Sequence, residues 1–220
     1  MNATKLVAFI LFFFISFTFN SIASQDTDPY VLFHKELKLI DIQISFNEDK
    51  LNDKEYIISR LAVMARIDQK LRQTNPDISV NNKIKLIKQY SLQFSNELSK
   101  MLDHHLWISC EDFGEKACTQ AFMIVQHAVP NPGLQHKVLF VLDELHKKNS
   151  IPSWHYAYLY DRIVVAHYSK FKVKQRFGSQ WYLTSDSKKK LFPFEGSFED
   201  LNQRRIAFGM PKLDLSEYVP

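Results

Sequence analysis

Few residues in this 220-residue chain combine a reactive side chain with a position that should keep it out of bulk water. His127 closes the run Met123-Ile124-Val125-Gln126-His127 at the end of a helical pattern. An imidazole there titrates near neutral pH and could act as a general acid or base. A core histidine whose ring nitrogens are satisfied is the competing reading. Asp68 stands in an apolar stripe four residues after Met64, where an acid needs a partner, and Arg72 at i+4 can supply one. Asp161-Arg162 admits two readings as well. In the functional one, Asp161 orients His127, Arg162 holds an anionic or carbonyl group, and Gln175 and Gln180 donate hydrogen bonds to a polar substrate. Gly178 would then let backbone approach the ligand. In the structural one, Asp161 and Arg162 pair with each other or with Asp68 and Arg72 as a buried ionic network, whose disruption costs roughly 3–5 kcal/mol.

Other chemistries are not indicated. His104 and His105 are adjacent and diverge on a helix, and there is no H-E-x-x-H, C-x-x-C, Gly-rich phosphate loop or G-x-S-x-G elbow. Neither a metal nor a cofactor is expected. The net charge is +4, from 28 Lys+Arg against 24 Asp+Glu, with no dense basic stripe, so nucleic acid is not the expected partner. Lys188-Lys189-Lys190 reads as a solvated turn.

The elements that must position these residues are mostly helical. Helices are expected over Tyr30 to Ile40 and Asn52 to Gln73, then over Asn81 to Leu106 as one long or two abutting helices. A turn from Trp107 to Gly114 leads to a helix from Glu115 to Ala128, whose Ala117, Ala121, Ile124, Val125 and Ala128 form a narrow face suited to close packing. Pro130-Asn131-Pro132-Gly133 turns into a helix ending near Lys148, and Pro152 opens another. From Phe171 to Phe177 the period becomes two, which reads as a strand, and Gln180 to Thr184 with Lys190 to Phe194 reads as a hairpin. The tail, with Pro193, Gly209 and Pro211, reads as irregular. The expected fold is α+β, mainly α-helical with a small C-terminal antiparallel sheet.

Lys5 precedes an apolar run from Leu6 to Phe19, followed by Ser21-Ile22-Ala23, which reads as a secretory signal over residues 1–23. The run is shorter than the ~20 apolar residues of a bilayer span. The expectation is one globular domain over 24–220, exported to the periplasm or beyond the cell and not integral to a membrane once the signal is cleaved. Cys110 and Cys118 would meet an oxidising compartment, where they form either a disulfide or two buried thiols.

Five motifs occur in one order: Met64-Ala65-Arg66-Ile67-Asp68-Gln69-Lys70-Leu71-Arg72, Gln126-His127-Ala128, Ala157-Tyr158-Leu159-Tyr160-Asp161-Arg162, Gln175-Arg176-Phe177-Gly178-Ser179-Gln180, and Asn202-Gln203-Arg204-Arg205. From about Met64 to Tyr218 the chain resembles the bacterial domain-of-unknown-function family 6624, with its M-x-x-x-D-Q-x-x-R, Q-H-A-D, A-Y-L-x-D-R and Q-x-Y-G-T-Q pattern. The resemblance implies a shared fold and a shared polar cluster. Val129 stands where the pattern has the acid of Q-H-A-D, so any orienting role of that acid is vacant here. The functional expectation is a polar-ligand-binding or hydrolytic cleft, for a small polar ligand or an envelope component, built on Asp68, Arg72, Gln126, His127, Asp161, Arg162, Gln175 and Gln180. The alternative is a non-enzymatic interaction module in which the same residues form a structural ion network.

Overall fold

A computed structural model describes residues 28–73 and 75–219, so the expected signal over residues 1–23 lies outside the described residues. Six helices form the body: α1 (Pro29–Asp41), α2 (Lys54–Arg72), α3 (Val80–His104), α4 (Cys110–His127), α5 (Pro132–Lys147) and α6 (Ser153–Phe171). Each of the first five begins where a side chain accepts a hydrogen bond from an otherwise unpaired N–H of the first turn, from Asp28, Asp53, Ser79, Ser109 and Asn131 respectively. Pro29 and Pro132 sit in the first turn, where a missing N–H costs nothing.

Helix α2 is central and packs against α1, α3 and α4, while α5 and α6 pair with each other and with α4. The apolar spacing seen in the sequence becomes one core: Ile57, Leu61, Met64 and Ile67 of α2 meet Leu86, Phe94, Leu98 and Met101 of α3. Ala117, Ala121, Val125 and Ala128 are buried on the α4 side, and their small side chains let helices approach closely. Helix α4 starts earlier than the sequence suggested. Ser109 opens it, Gly114 breaks its regularity at φ 83°, a left-handed region open to glycine, and Cys110 and Cys118 are joined by a disulfide across that break.

The C-terminal part carries β1 (Trp181–Leu183), β2 (Lys189–Leu191), α7 (Phe198–Ala207) and β3 (Tyr218–Val219). β1 and β2 form the expected antiparallel hairpin, with Trp181 opposite Leu191, and β3 adds in parallel to β2, with Tyr218 opposite Lys189. The sheet is therefore small and mixed. A second, smaller cluster of Ala157, Phe177 and Met210 joins this region to α6.

Two expectations are corrected. The segment from Phe171 to Phe177 is not a strand: Phe171 ends α6, Lys172 turns through a left-handed conformation, and only Gln175 makes an isolated bridge, to Phe194. The alternation did not mark one face, since Phe171 and Val173 are exposed whereas Gln175 and Phe177 are buried. The tail is not wholly irregular either. Helix α7 starts at a capping box, in which Ser197 and Asp200 each hydrogen-bond the other's backbone N–H, and it buries Leu201, Asn202 and Arg205.

Candidate functional site

The C-terminal ends of α2 and α4 bring together residues 59 positions apart. Asp68 is buried and its carboxylate accepts from Arg72 at both oxygens, Nη2 to Oδ1 at 2.9 Å and Nε to Oδ2 at 3.1 Å. His127 Nδ1 lies 2.7 Å from Asp68 Oδ2. Burial alone would raise the Asp68 pKa, but hydrogen bonds from His127 and Arg72 outweigh it and hold the carboxyl below its ordinary range. An ionised carboxylate only accepts, so Nδ1 carries the hydrogen and Nε2 is left as the free ring nitrogen.

That nitrogen belongs to a side chain lining an open cleft of about 510 Å3 between α2, α3, α4 and α6. The walls are Arg72, Lys88, Gln89, Ser91, Gln126, His127 and Arg162, with Ile87, Leu92, Val129 and Pro130 as apolar surface. Gln126 is 7% exposed. Its Nε2 donates to the Tyr158 carbonyl at 3.2 Å, whereas its Oε1 is buried with no hydrogen-bond partner among the described residues. Arg162 has a buried Nε in the same condition. Burial lowers the Arg162 pKa, and the nearby charge of Arg72 lowers it further.

The remaining expected site residues lie elsewhere. Asp161 does not orient His127, because successive positions on α6 diverge: Arg162 enters the cleft while Asp161 points to the C-terminal region. There its carboxylate accepts from the backbone N–H groups of Arg176 at 2.8 Å, Phe177 at 3.1 Å and Ser179 at 3.0 Å. Burial raises its pKa against those bonds. Nor do Gln175 and Gln180 reach the cleft. Gln175 donates to the carbonyls of Gln180 and Phe192 and accepts from the Gln180 N–H, so the loop is tied by its own amide groups. Gly178, at φ 62°, belongs to this turn, where an added Cβ would meet Leu201 at 2.9 Å. It serves helix–loop packing and not ligand approach. The role expected of Asp161 falls to Asp68.

Several residues escaped the sequence reading. Lys88 and Ser91 supply the α3 wall of the cleft, and the signal for Ser91 was its place one turn after Ile87 on an apolar side. A second ionic cluster was also missed: Arg60 makes a bidentate contact with Glu97, Nε to Oε2 and Nη2 to Oε1 both at 2.8 Å, and meets Asp41 Oδ1 at 2.7 Å. Its signal was a charge in the stripe Ile57, Arg60, Leu61, Met64. No group of three or more His, Cys, Asp or Glu among the described residues is placed to hold a metal ion. No described helix is long and apolar enough to cross a membrane.

These features define a class: a mainly helical α+β protein with a histidine–aspartate pair at the rim of a cationic cleft. The chain belongs to the family of unknown function DUF6624, whose model matches residues 56–219. No curated protein and no solved structure matches it.

Proposed function

We propose that the cleft binds a small polar ligand and that His127 acts within it as an acid/base group, making the protein hydrolytic. The observation that carries this reading is the Asp68–His127 contact at 2.7 Å on a histidine that lines an open cavity. Asp68 fixes the tautomer and would stabilise the imidazolium formed when Nε2 takes a proton from water. The water would attack a carbonyl or phosphoryl centre, and Nε2–H would return the proton to the leaving group. Arg72 keeps Asp68 ionised through this cycle. A purely structural network predicts an enclosed cluster, and the opening beside His127 supports a site instead.

The test is a panel of chromogenic carboxylic and phosphate esters, assayed from pH 5 to 8. The expected result is a rate that varies with pH across this range and falls by about 100-fold or more in His127→Gln. A pH-flat rate, or a His127→Gln variant as active as the native protein, would sink the acid/base role.

The protein is exported in this reading, with residues 1–23 removed. The Cys110–Cys118 disulfide supports it, since such bonds persist in oxidising compartments. N-terminal sequencing of the protein recovered outside the cytoplasm should begin at Ser24, and an intact Met1 there would count against it.

A further inference from the structure

The charge balance of the cleft is one-sided. Arg72, Arg162 and Lys88 line it, and among the described residues no Asp or Glu does. The one carboxylate at its edge, Asp68, is already committed: both oxygens accept from Arg72, and Oδ2 also meets His127. The Arg162 guanidinium therefore stands beside another cation with a buried Nε–H that has no partner among the described residues. A buried charge without a counter-ion is costly, and a free anion is the group that would relieve it.

Gln126 adds a second, independent requirement. The Tyr158 carbonyl can only accept, so the amide nitrogen must face it and the oxygen must face the other way. That oxygen is buried, has no partner among the described residues and belongs to a cleft-lining residue, so it calls for a donor from a bound molecule. Ile87, Leu92, Val129 and Pro130 form an apolar stretch of the wall that suits an apolar body, with Gln89 and Ser91 as further polar groups on the α3 side. A volume of about 510 Å3 is that of a small-molecule site.

We infer that the cleft receives a small organic anion with an apolar body: its carboxylate or phosphate lies against Arg162, flanked by Arg72 and Lys88, and an N–H or O–H of the same molecule donates to Gln126 Oε1. This rests on the reading of the cleft as a ligand site and is independent of any proton transfer by His127. An arginine with a free Nε–H can form the two parallel hydrogen bonds that planar carboxylates and phosphates favour.

The experiment titrates the oxidised full-length protein with four probes: inorganic phosphate, phenyl phosphate, N-acetylphenylalanine and N-acetylphenylalanine amide. Calorimetry gives affinity, and the Arg162 Nε–H resonance reports where binding occurs. N-acetylphenylalanine or phenyl phosphate should bind at least about tenfold more tightly than the neutral amide and shift that resonance. Which of the two is tighter tells carboxylate from phosphate. Arg162→Gln should weaken binding by about tenfold or more, and so should Val129→Asp, which places a like charge on the cleft wall. Val129 is half exposed, so the second variant serves if the first disturbs folding. The inference is overturned if the amide binds as tightly as the acid, if both variants bind like the native protein, or if no probe saturates by about 10 mM. Anion binding without His127-dependent hydrolysis would remove the acid/base role and leave this inference standing. Hydrolysis with no preference for anions would do the reverse.

Discussion

Helix α2 carries two buried charge clusters, two to three turns apart, and they are built on opposite terms. Around Arg60 the charges are matched: Glu97 takes two of its N–H groups, the carbonyl of Ile44 accepts at 2.8 Å, and Asp41 adds a second carboxylate whose Oδ1 makes a charge contact but no hydrogen bond among the described residues. Two acids face one guanidinium, and Arg60 is 1% exposed. Around Asp68 one acid faces Arg72 and His127, with Arg162 beyond them and no acid of its own among the described residues. The first cluster closes on itself and holds α1, α2 and α3 together. The second is short of negative charge and opens onto a cavity. A buried ion pair with matched charges is therefore poor evidence of function, and it is the charge deficit beside a cavity that motivates the ligand reading.

The contrast breaks most visibly if the closed cluster proves dispensable. Arg60→Ala should cost about 3–5 kcal/mol, because it leaves Glu97 buried without its partner. The thermal midpoint should fall by roughly 6–20 °C in a chain of this size, and an unchanged midpoint would overturn the structural assignment.

His155 sharpens the same rule from another side. It is fully buried against Phe122, with ring centroids 4.3 Å apart, and neither ring nitrogen has a partner among the described residues. No described cavity is lined by it, so an unmet polar group alone does not make a site. Burial pushes its pKa down to about 4. The unfolded chain takes up the proton near 6.5, so the folded state is favoured above that pH and loses about 3 kcal/mol as pH falls from 6.5 to 4. Denaturant unfolding across this range should show the loss, and His155→Phe should flatten the slope relative to the native protein.

Asp68→Asn should cost less, about 1.5–3 kcal/mol for charge-assisted bonds to partly exposed partners. The smallest effect belongs to Arg162→Gln, within about 0.5 kcal/mol of native or stabilising, since it removes a charge that no acid neutralises. Denaturant titrations of both variants check the order. An Arg162→Gln protein that unfolded as readily as Arg60→Ala would erase the distinction between the clusters.

The helices were legible because burial of one face repeats at helical spacing, and α2 to α6 follow those stripes closely. The C-terminal region was not. Its backbone N–H groups at Arg176, Phe177 and Ser179 are spent on a carboxylate 15 to 18 residues upstream, which leaves no local period to read. The candidate site was half legible. Asp68 and Arg72 are one helical turn apart and predict each other, but which acid meets His127 is decided by how α4 crosses α2. Sequence order offered Asp161, whereas packing chose Asp68. The motif residues thus divide into a cleft group and a loop group, although Asp161 and Arg162 are neighbours.

That adjacency ties inheritance of the fold to inheritance of the chemistry. Asp161 anchors the segment that leads into the C-terminal sheet, and the next residue aims a guanidinium into the cavity. A one-residue insertion or deletion in α6 would rotate both by about 100° and lose anchor and guanidinium together. Single substitutions can therefore remodel the cleft wall through Val129, Lys88, Leu92 or Arg162 one position at a time, whereas a change of register in α6 displaces the anchor and the guanidinium together.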